Sequence, residues 1–201
     1  MTTLLLVRHG ETDWNATGRI QGATDIPLND TGRAQARETA AALVEQFSDR
    51  HPLVVSSDLS RARETAEIIA AALGAADPRL YPQLRERSYG VAEGLTGAEL
   101  YARFGGFGRD NIPGAETDAQ LRSRAVAAVR RVTRDARLRH APRDIPVIAV
   151  AHGALIGQLI RHASADALPL PGERLANAST HRFLVERDRL SVLSYTAVPV
   201  G

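Results

Sequence analysis

Two histidines, His9 and His152, and two arginines, Arg8 and Arg61, stand at or just beyond the ends of short apolar runs. The first run closes in Arg8-His9-Gly10-Glu11-Thr12, the second in Ser56-Ser57-Asp58 ahead of Arg61, and the third in His152-Gly153. Arginine's planar fork matches phosphate oxygens, and the start of a helix offers backbone N–H groups to an anion. If the three run ends meet, the ligand this set suits is an anionic phosphoryl group. Singly, each residue has a plainer role. A lone histidine is more often a structural hydrogen-bonding group, and Arg8 alone could pair with a surface acid. His51, His140, His162 and His181 keep that structural or solvated reading. Convergence from distant segments is what carries the chemistry.

The elements that must produce this convergence are legible as hydrophobic patterning. Leu4 to Val7, Leu53 to Val55 and Ile145 to Val150, the last interrupted by Pro146, are too continuous for strands with one wet face. They suit strands covered on both sides, as in a parallel sheet between helices. Helices are expected over Thr31 to Phe47, with Asn29 or Asp30 as cap, over Ser60 to Leu73 ending at Gly74, over Thr117 to Arg139, and over Ala154 to His162. Phe183-Leu184-Val185 and Leu190-Ser191-Val192-Leu193 flank Arg187-Asp188 and read as a hairpin. Alternating strands and helices predict one α/β domain over residues 1–201, and open sheets of this class bind ligands at the carboxyl ends of their strands. The least regular stretch, Gly94 to Gly114 with Gly105-Gly106-Phe107-Gly108 at its centre, reads as an excursion with a short helix at Glu99 to Phe104. It could cover a site or be an ordinary surface loop.

Composition excludes several rival chemistries. The 201 residues contain no cysteine and no lysine, so all 25 basic residues are arginines, against 23 acids. Thiolate nucleophiles, thiolate metal sites and disulfides are therefore absent, as are phosphate-loop and Schiff-base lysines. No Asp-x-Asp pair, Gly-x-Ser-x-Gly elbow or His-Glu-x-x-His zinc pair occurs. The scattered histidines have no neighbouring ligand run, so neither metal nor cofactor is expected. A net charge of +2 and 4% aromatic residues give no case for nucleic acid. The apolar run at Leu4 to Val7 is too short for a signal peptide or a membrane helix, which needs about 20 apolar residues, and the cytoplasm is the expected location.

Longer blocks carry a family resemblance. Leu6-Val7-Arg8-His9-Gly10-Glu11-Thr12, followed by Trp14-Asn15 and Gly18-Arg19-Ile20-Gln21-Gly22, resembles the opening of the histidine phosphatase superfamily, in its phosphoglycerate-mutase-like branch. Asp25-Ile26-Pro27-Leu28-Asn29 with Thr31-Gly32, Ser56 to Ala62 with Thr65-Ala66, and Leu84-Arg85-Glu86 with Tyr89-Gly90 and Glu93-Gly94 agree in order. So do Gly114 with Glu116-Thr117 and Arg124, then Val150-Ala151-His152-Gly153, while Asn177-Ala178-Ser179 is a weaker echo. The resemblance implies a three-layer α/β/α sandwich with a mostly parallel central sheet and a small loop and helix excursion over the site. It implies that His9 becomes phosphorylated, that Arg8, Asn15, Arg61 and His152 bind the phosphoryl group, and that Glu86 protonates the leaving oxygen. His152 counts with His9 and Glu86 as catalytic. Gln21, Gly22, Tyr89 and Gly153 are the candidate substrate contacts.

These roles agree with the chemistry of the residue types. A histidine nucleophile must be neutral, and neighbouring arginines disfavour its charged form. The same arginines spread the charge of the transferring group, where most catalysis of phosphoryl transfer resides. The expected activity is hydrolysis of a small phosphomonoester through a phosphohistidine. The alternative is a cofactor-dependent phosphoglycerate mutase, whose relatives carry lysine and paired arginines after the acidic block. This chain offers only the separated Arg103 and Arg109 there, although Tyr89 keeps a mutase-like feature. The expected partner is a small phosphorylated substrate, with no nucleic acid and no membrane, and a homodimer is compatible with the sequence.

Overall fold

The computed structural model describes residues 1–48, 50–105 and 112–200. Strand β1 (Thr2–Arg8) is followed by a short helix α1 (Asp13–Ala16) and by α2 (Asp30–Gln46). Strand β2 (Leu53–Ser56) leads into α3 (Ser60–Ala72) and the two-residue β3 (Arg79–Leu80). Helices α4 (Gly97–Phe104) and α5 (Asp118–His140) precede β4 (Val147–Ala151) and α6 (Gly153–Ala163). The last elements are β5 (Glu173–Arg174), β6 (Thr180–Val185), β7 (Leu190–Ser194) and β8 (Val198–Pro199).

The continuous apolar run of β1 explains the layering. Successive side chains of a strand point to opposite faces. Leu4 and Leu6 accordingly pack with Leu121 and Val129 of α5 and Leu155 and Leu159 of α6. Leu5 and Val7 pack on the other face with Ala40 and Leu43 of α2 and Ile69 of α3. The sheet order is β3-β2-β4-β1-β6-β7. The pairs β2–β3, β2–β4 and β1–β4 are parallel, and the hairpin β6–β7 adds antiparallel strands beside β1. This is a three-layer sandwich with a mostly parallel sheet, and the carboxyl ends of β1, β2 and β4 lie on one edge of it.

Local chemistry sets the element ends. Asn29 caps α2 by accepting from the Gly32 N–H at 2.8 Å. Thr117 and Gln120 form a reciprocal capping box on α5, whose last turn carries Arg137, Arg139 and His140 against the negative end of its dipole. Strand β4 starts at Val147, two residues later than the apolar run, because Pro146 has no N–H to give the ladder; its carbonyl accepts from Leu53 N at 2.9 Å. Helix α4 starts at Gly97, two residues before Glu99, because Thr96 and Glu99 make a capping box. The chain leaving β1 crosses the first turn of α2 closely. A Cβ on Gly10 would lie 2.3 Å from the Gly32 carbonyl oxygen, and one on Gly32 would lie 2.1 Å from the Glu11 oxygen. Two glycines are required there to seat the residue after His9.

The described part of the excursion supports the loop after α1. Ile20 N donates to Leu95 O at 2.9 Å, Gly94 N donates to Ile20 O at 2.8 Å, and Ile20 packs with Ala92, Leu100 and Ile112. Gly106-Phe107-Gly108 and Arg109 lie outside the described residues. Among the described residues, no helix is long and apolar enough to cross a membrane.

Candidate active site

The strand ends meet around a cavity of about 220 Å³. Arg8, His9, Asn15, Gln21, Gly22, Arg61, Glu86 and Tyr89 line it, together with Gly18, Arg19 and Ile20. His152 and Gly153 stand just behind this wall. The His152 ring is fully buried with its centroid 5.1 Å from that of His9, and a Cβ on Gly153 would come 3.3 Å from Arg8 Nε.

The orientation of His9 is set by one hydrogen bond. Its Nδ1 lies 2.6 Å from the Gly10 carbonyl oxygen. A carbonyl can only accept, so Nδ1 carries the proton and the neutral ring keeps its lone pair on Nε2. Burial, then the charges of Arg61 and Arg8, hold the ring's pKa well below the usual histidine value, against the smaller opposing pull of the Gly10 carbonyl. His152 is held neutral by burial, by Arg61, by His9 and by Arg8. Neither of its buried ring nitrogens has a hydrogen-bond partner among the described residues. A buried polar pair of this kind is costly unless a ligand supplies the missing bonds.

The arginines are gripped by backbone carbonyls. Arg61 is completely buried and donates through Nη1 to Thr24 O and through Nη2 to Gly22 O, each at 2.8 Å. Arg8 donates through Nη1 to Leu175 O. In both, the buried Nε is left without a partner among the described residues. Carbonyl contacts fix the guanidinium groups without cancelling their charge. Asn15 Oδ1 accepts from Thr12 N at 3.2 Å and from Asn177 Nδ2 at 3.1 Å, which turns its own amide N–H₂ into the end left for an anion. Gln21 is buried, with Oε1 lacking a partner among the described residues.

Glu86 sits where α6 begins. Its Oε2 accepts from Ala154 N at 3.0 Å, and its Oε1 accepts from Leu155 N at 3.1 Å and Arg87 N at 2.8 Å. His152, the residue before the helix, makes no side-chain cap. Glu86 therefore satisfies first-turn donors of α6 from a distant loop, and Oε2, with a single donor among the described residues, keeps a lone pair open. Tyr89 is half-buried beside it, its hydroxyl pKa raised by desolvation and by the Glu86 charge, while Arg87 lies over the ring at 5.2 Å.

The residues that hold these groups carry no local pattern that marks this role. Arg124 donates to the carbonyls of Gln83, Arg85 and Glu86 while paired with Glu116 at 2.6 Å, and so anchors the backbone that presents Glu86. Glu93 accepts from Ala23 N, Thr24 N, Thr24 Oγ1 and Tyr89 N, tying the loop that grips Arg61 to the loop that carries Tyr89. Asn177 donates to His9 O at 3.2 Å. All three fall within the matched sequence blocks, which was the available signal. Among the described residues, no cluster of His, Asp and Glu side chains could hold a metal ion.

A family model described as "Histidine phosphatase superfamily (branch 1)" matches residues 4–197. The chain is 40% identical over 193 residues to a protein of Bacillus subtilis (strain 168) named uncharacterized phosphatase PhoE, covering 94% of this chain and 93% of that one. It is 38% identical over 197 residues to a probable phosphoglycerate mutase GpmB of Photorhabdus laumondii, covering 90% and 84%. Among solved structures, a mycobacterial glucosyl-3-phosphoglycerate phosphatase in complex with VO3 superposes with a TM-score of 0.82 at 29% identity, covering 98% of this chain and 100% of that one.

Proposed function

This chain belongs to the histidine phosphatase superfamily, branch 1, and from that membership we propose that it hydrolyses small phosphomonoesters, with His9 carrying the phosphoryl group from substrate to water. One observation carries the reading: the Nδ1–H of His9 is committed to the Gly10 carbonyl, which leaves Nε2 as the neutral nucleophile of a residue that shares its cavity with the arginines Arg8 and Arg61. As the Nε2–P bond forms and the P–O bond to the alcohol breaks, the ring becomes positively charged, and the Gly10 carbonyl stabilises that charge through Nδ1–H. Arg8, Arg61, Asn15 and His152 receive the oxygens of the transferring group. Glu86 delivers a proton to the departing alkoxide. Its carboxylate then takes a proton from the water that attacks phosphorus, breaks the N–P bond and frees His9. The positive charge the reaction needs is supplied by arginine, so the reading requires no metal.

Hydrolysis is favoured over mutase action by what the site lacks for a second anion. A mutase must retain its monophosphate product until the phosphoryl group returns to another oxygen. The chain has no lysine, Arg8 and Arg61 are both committed to the first phosphoryl group, and Arg19, the other arginine of the cavity lining, is tied to the Gly94 carbonyl and lies 3.9 Å from Glu99. The relatives include proteins named as phosphatases and as mutases, so the test measures both. Phosphate release is followed over a panel of phosphorylated metabolites, beside a mutase assay primed with bisphosphoglycerate. Phosphate release with an acid-labile label on His9, lost in His9→Ala, is expected. Interconversion of phosphoglycerates faster than phosphate release would overturn the assignment to hydrolysis.

A further inference from the structure

Three histidines are buried among the described residues, and the mechanism above uses only His9 and His152. The third, His181, stands on β6 opposite Leu6 of β1, two residues before Arg8. Its hydrogen bonds have a forced direction. Thr196 N can only donate, so His181 Nδ1 accepts from it, at 3.3 Å. The neutral ring then carries its proton on Nε2 and donates it to Ser179 Oγ at 3.0 Å. Ser179 Oγ sends its own proton to Ala176 O at 2.6 Å.

This chain of bonds ends in the turn that grips the nucleophile. Within Leu175–Ser179, Leu175 O accepts from Arg8 Nη1, and Ser179 O accepts from Arg8 N at 3.0 Å. Asn177 Nδ2 and Ala178 N both donate to His9 O, each at 3.2 Å. The turn is not relaxed on its own. Ala178 has φ 58°, a left-handed conformation that a residue with a Cβ rarely adopts. Surrounding bonds must hold it there.

We propose that His181 is a positioning residue for phosphoryl transfer: its Nε2–H fixes Ser179, Ser179 fixes the turn, and the turn seats Arg8 and His9. The proposal rests on the phosphatase reading of those two residues. Loss of the Nε2 donor lets the turn relax and shifts the guanidinium and the imidazole from the line of attack.

The test compares His181→Gln, His181→Asn, His181→Leu, Ser179→Ala and the Ser179→Ala/His181→Leu double variant, each assayed well below its own Tm. Two measurements are made, kcat/KM on p-nitrophenyl phosphate and vanadate affinity by calorimetry. Glutamine places its amide N–H₂ near the Nε2 position, whereas asparagine reaches only as far as Nδ1. The Asn, Leu and Ser179→Ala variants should lose about 10-fold to 10²-fold in kcat/KM, the scale of a misplacement near 1 Å, with weaker vanadate binding. Glutamine should recover most of both. The double variant should be no worse than the poorer single, because both changes cut one chain. Equal behaviour of Asn and Gln, or multiplied losses in the double variant, would overturn the role of His181 while leaving the phosphatase reading intact. A wild-type enzyme that neither releases phosphate nor binds vanadate would overturn both.

Discussion

His181 also makes a sharp prediction about acid stability. The perturbation is His181→Gln, which keeps a hydrogen-bonding amide but removes the titration. Burial, with a smaller contribution from the Arg8 charge, pushes the folded-state pKa of His181 down to about 4, from 6.5 in an unfolded chain. Between those values the unfolded state binds a proton that the folded state refuses, so stability falls as pH falls. Above pH 6.5 neither state is protonated and the residue contributes no pH dependence. The whole gap corresponds to about 3 kcal/mol, at about 1.4 kcal/mol for each pH unit. Stopping at pH 5, where the fold is more secure, exposes about 2 kcal/mol of it.

Urea unfolding at pH 7.5 and pH 5, analysed for free energy and slope, measures this directly. His9 and His152 are also held neutral and will contribute with the same sign, so the wild type alone is not diagnostic. The difference between wild type and His181→Gln isolates the one residue. The wild type should lose about 2 kcal/mol more than the variant on going from pH 7.5 to pH 5. Parallel losses in the two proteins would refute the argument that His181 is buried as the neutral base.

Three further outcomes test the catalytic reading. Because His9 must attack as a free base and its pKa is depressed, kcat/KM should stay level as pH falls through 6.5 and drop only well below it; Arg61→Met should move that acid limb upward, and a wild-type limb at 6.5 would contradict the assignment. Glu86→Gln should cost ~10²–10⁴-fold on an alkyl phosphate and far less on p-nitrophenyl phosphate, whose leaving group needs no proton, whereas Arg61→Ala should damage both alike; equal losses in Glu86→Gln would show that Glu86 is not the leaving-group acid. Activity should survive EDTA and be inhibited strongly by vanadate, whose trigonal bipyramid imitates the transferring phosphoryl group; activity that vanishes on chelation and returns with Mg²⁺ or Zn²⁺ would exclude the arginine-only mechanism.

What the sequence determined by itself is what depends on neighbours. The unbroken apolar run Leu4–Val7 demands a strand covered on both faces, and the structure supplies α5 and α6 on one side and α2 and α3 on the other. Asn29 and Thr117 start their helices through bonds to residues three positions on, so spacing alone exposes them. Blocks such as Arg8-His9-Gly10 and Val150 to Gly153 carry the family resemblance because in them a strand and the polar residues at its end are adjacent in sequence.

Tertiary structure decided everything that joins distant segments. That Glu86 closes the start of α6 depends on contacts 68 and 69 residues apart, and that Asn177 holds the His9 carbonyl depends on one 168 residues apart. Periodicity carries no information about such pairs, since each partner satisfies its own local pattern without the other. The same limit applies to His181. A histidine within a strand reads as a structural hydrogen-bonding group, and so it is, but only the packing of β6 on β1 shows that the structure it supports is the turn around Arg8 and His9. Its neutrality has the same origin, because the water that would favour the charged ring is displaced by side chains from many segments.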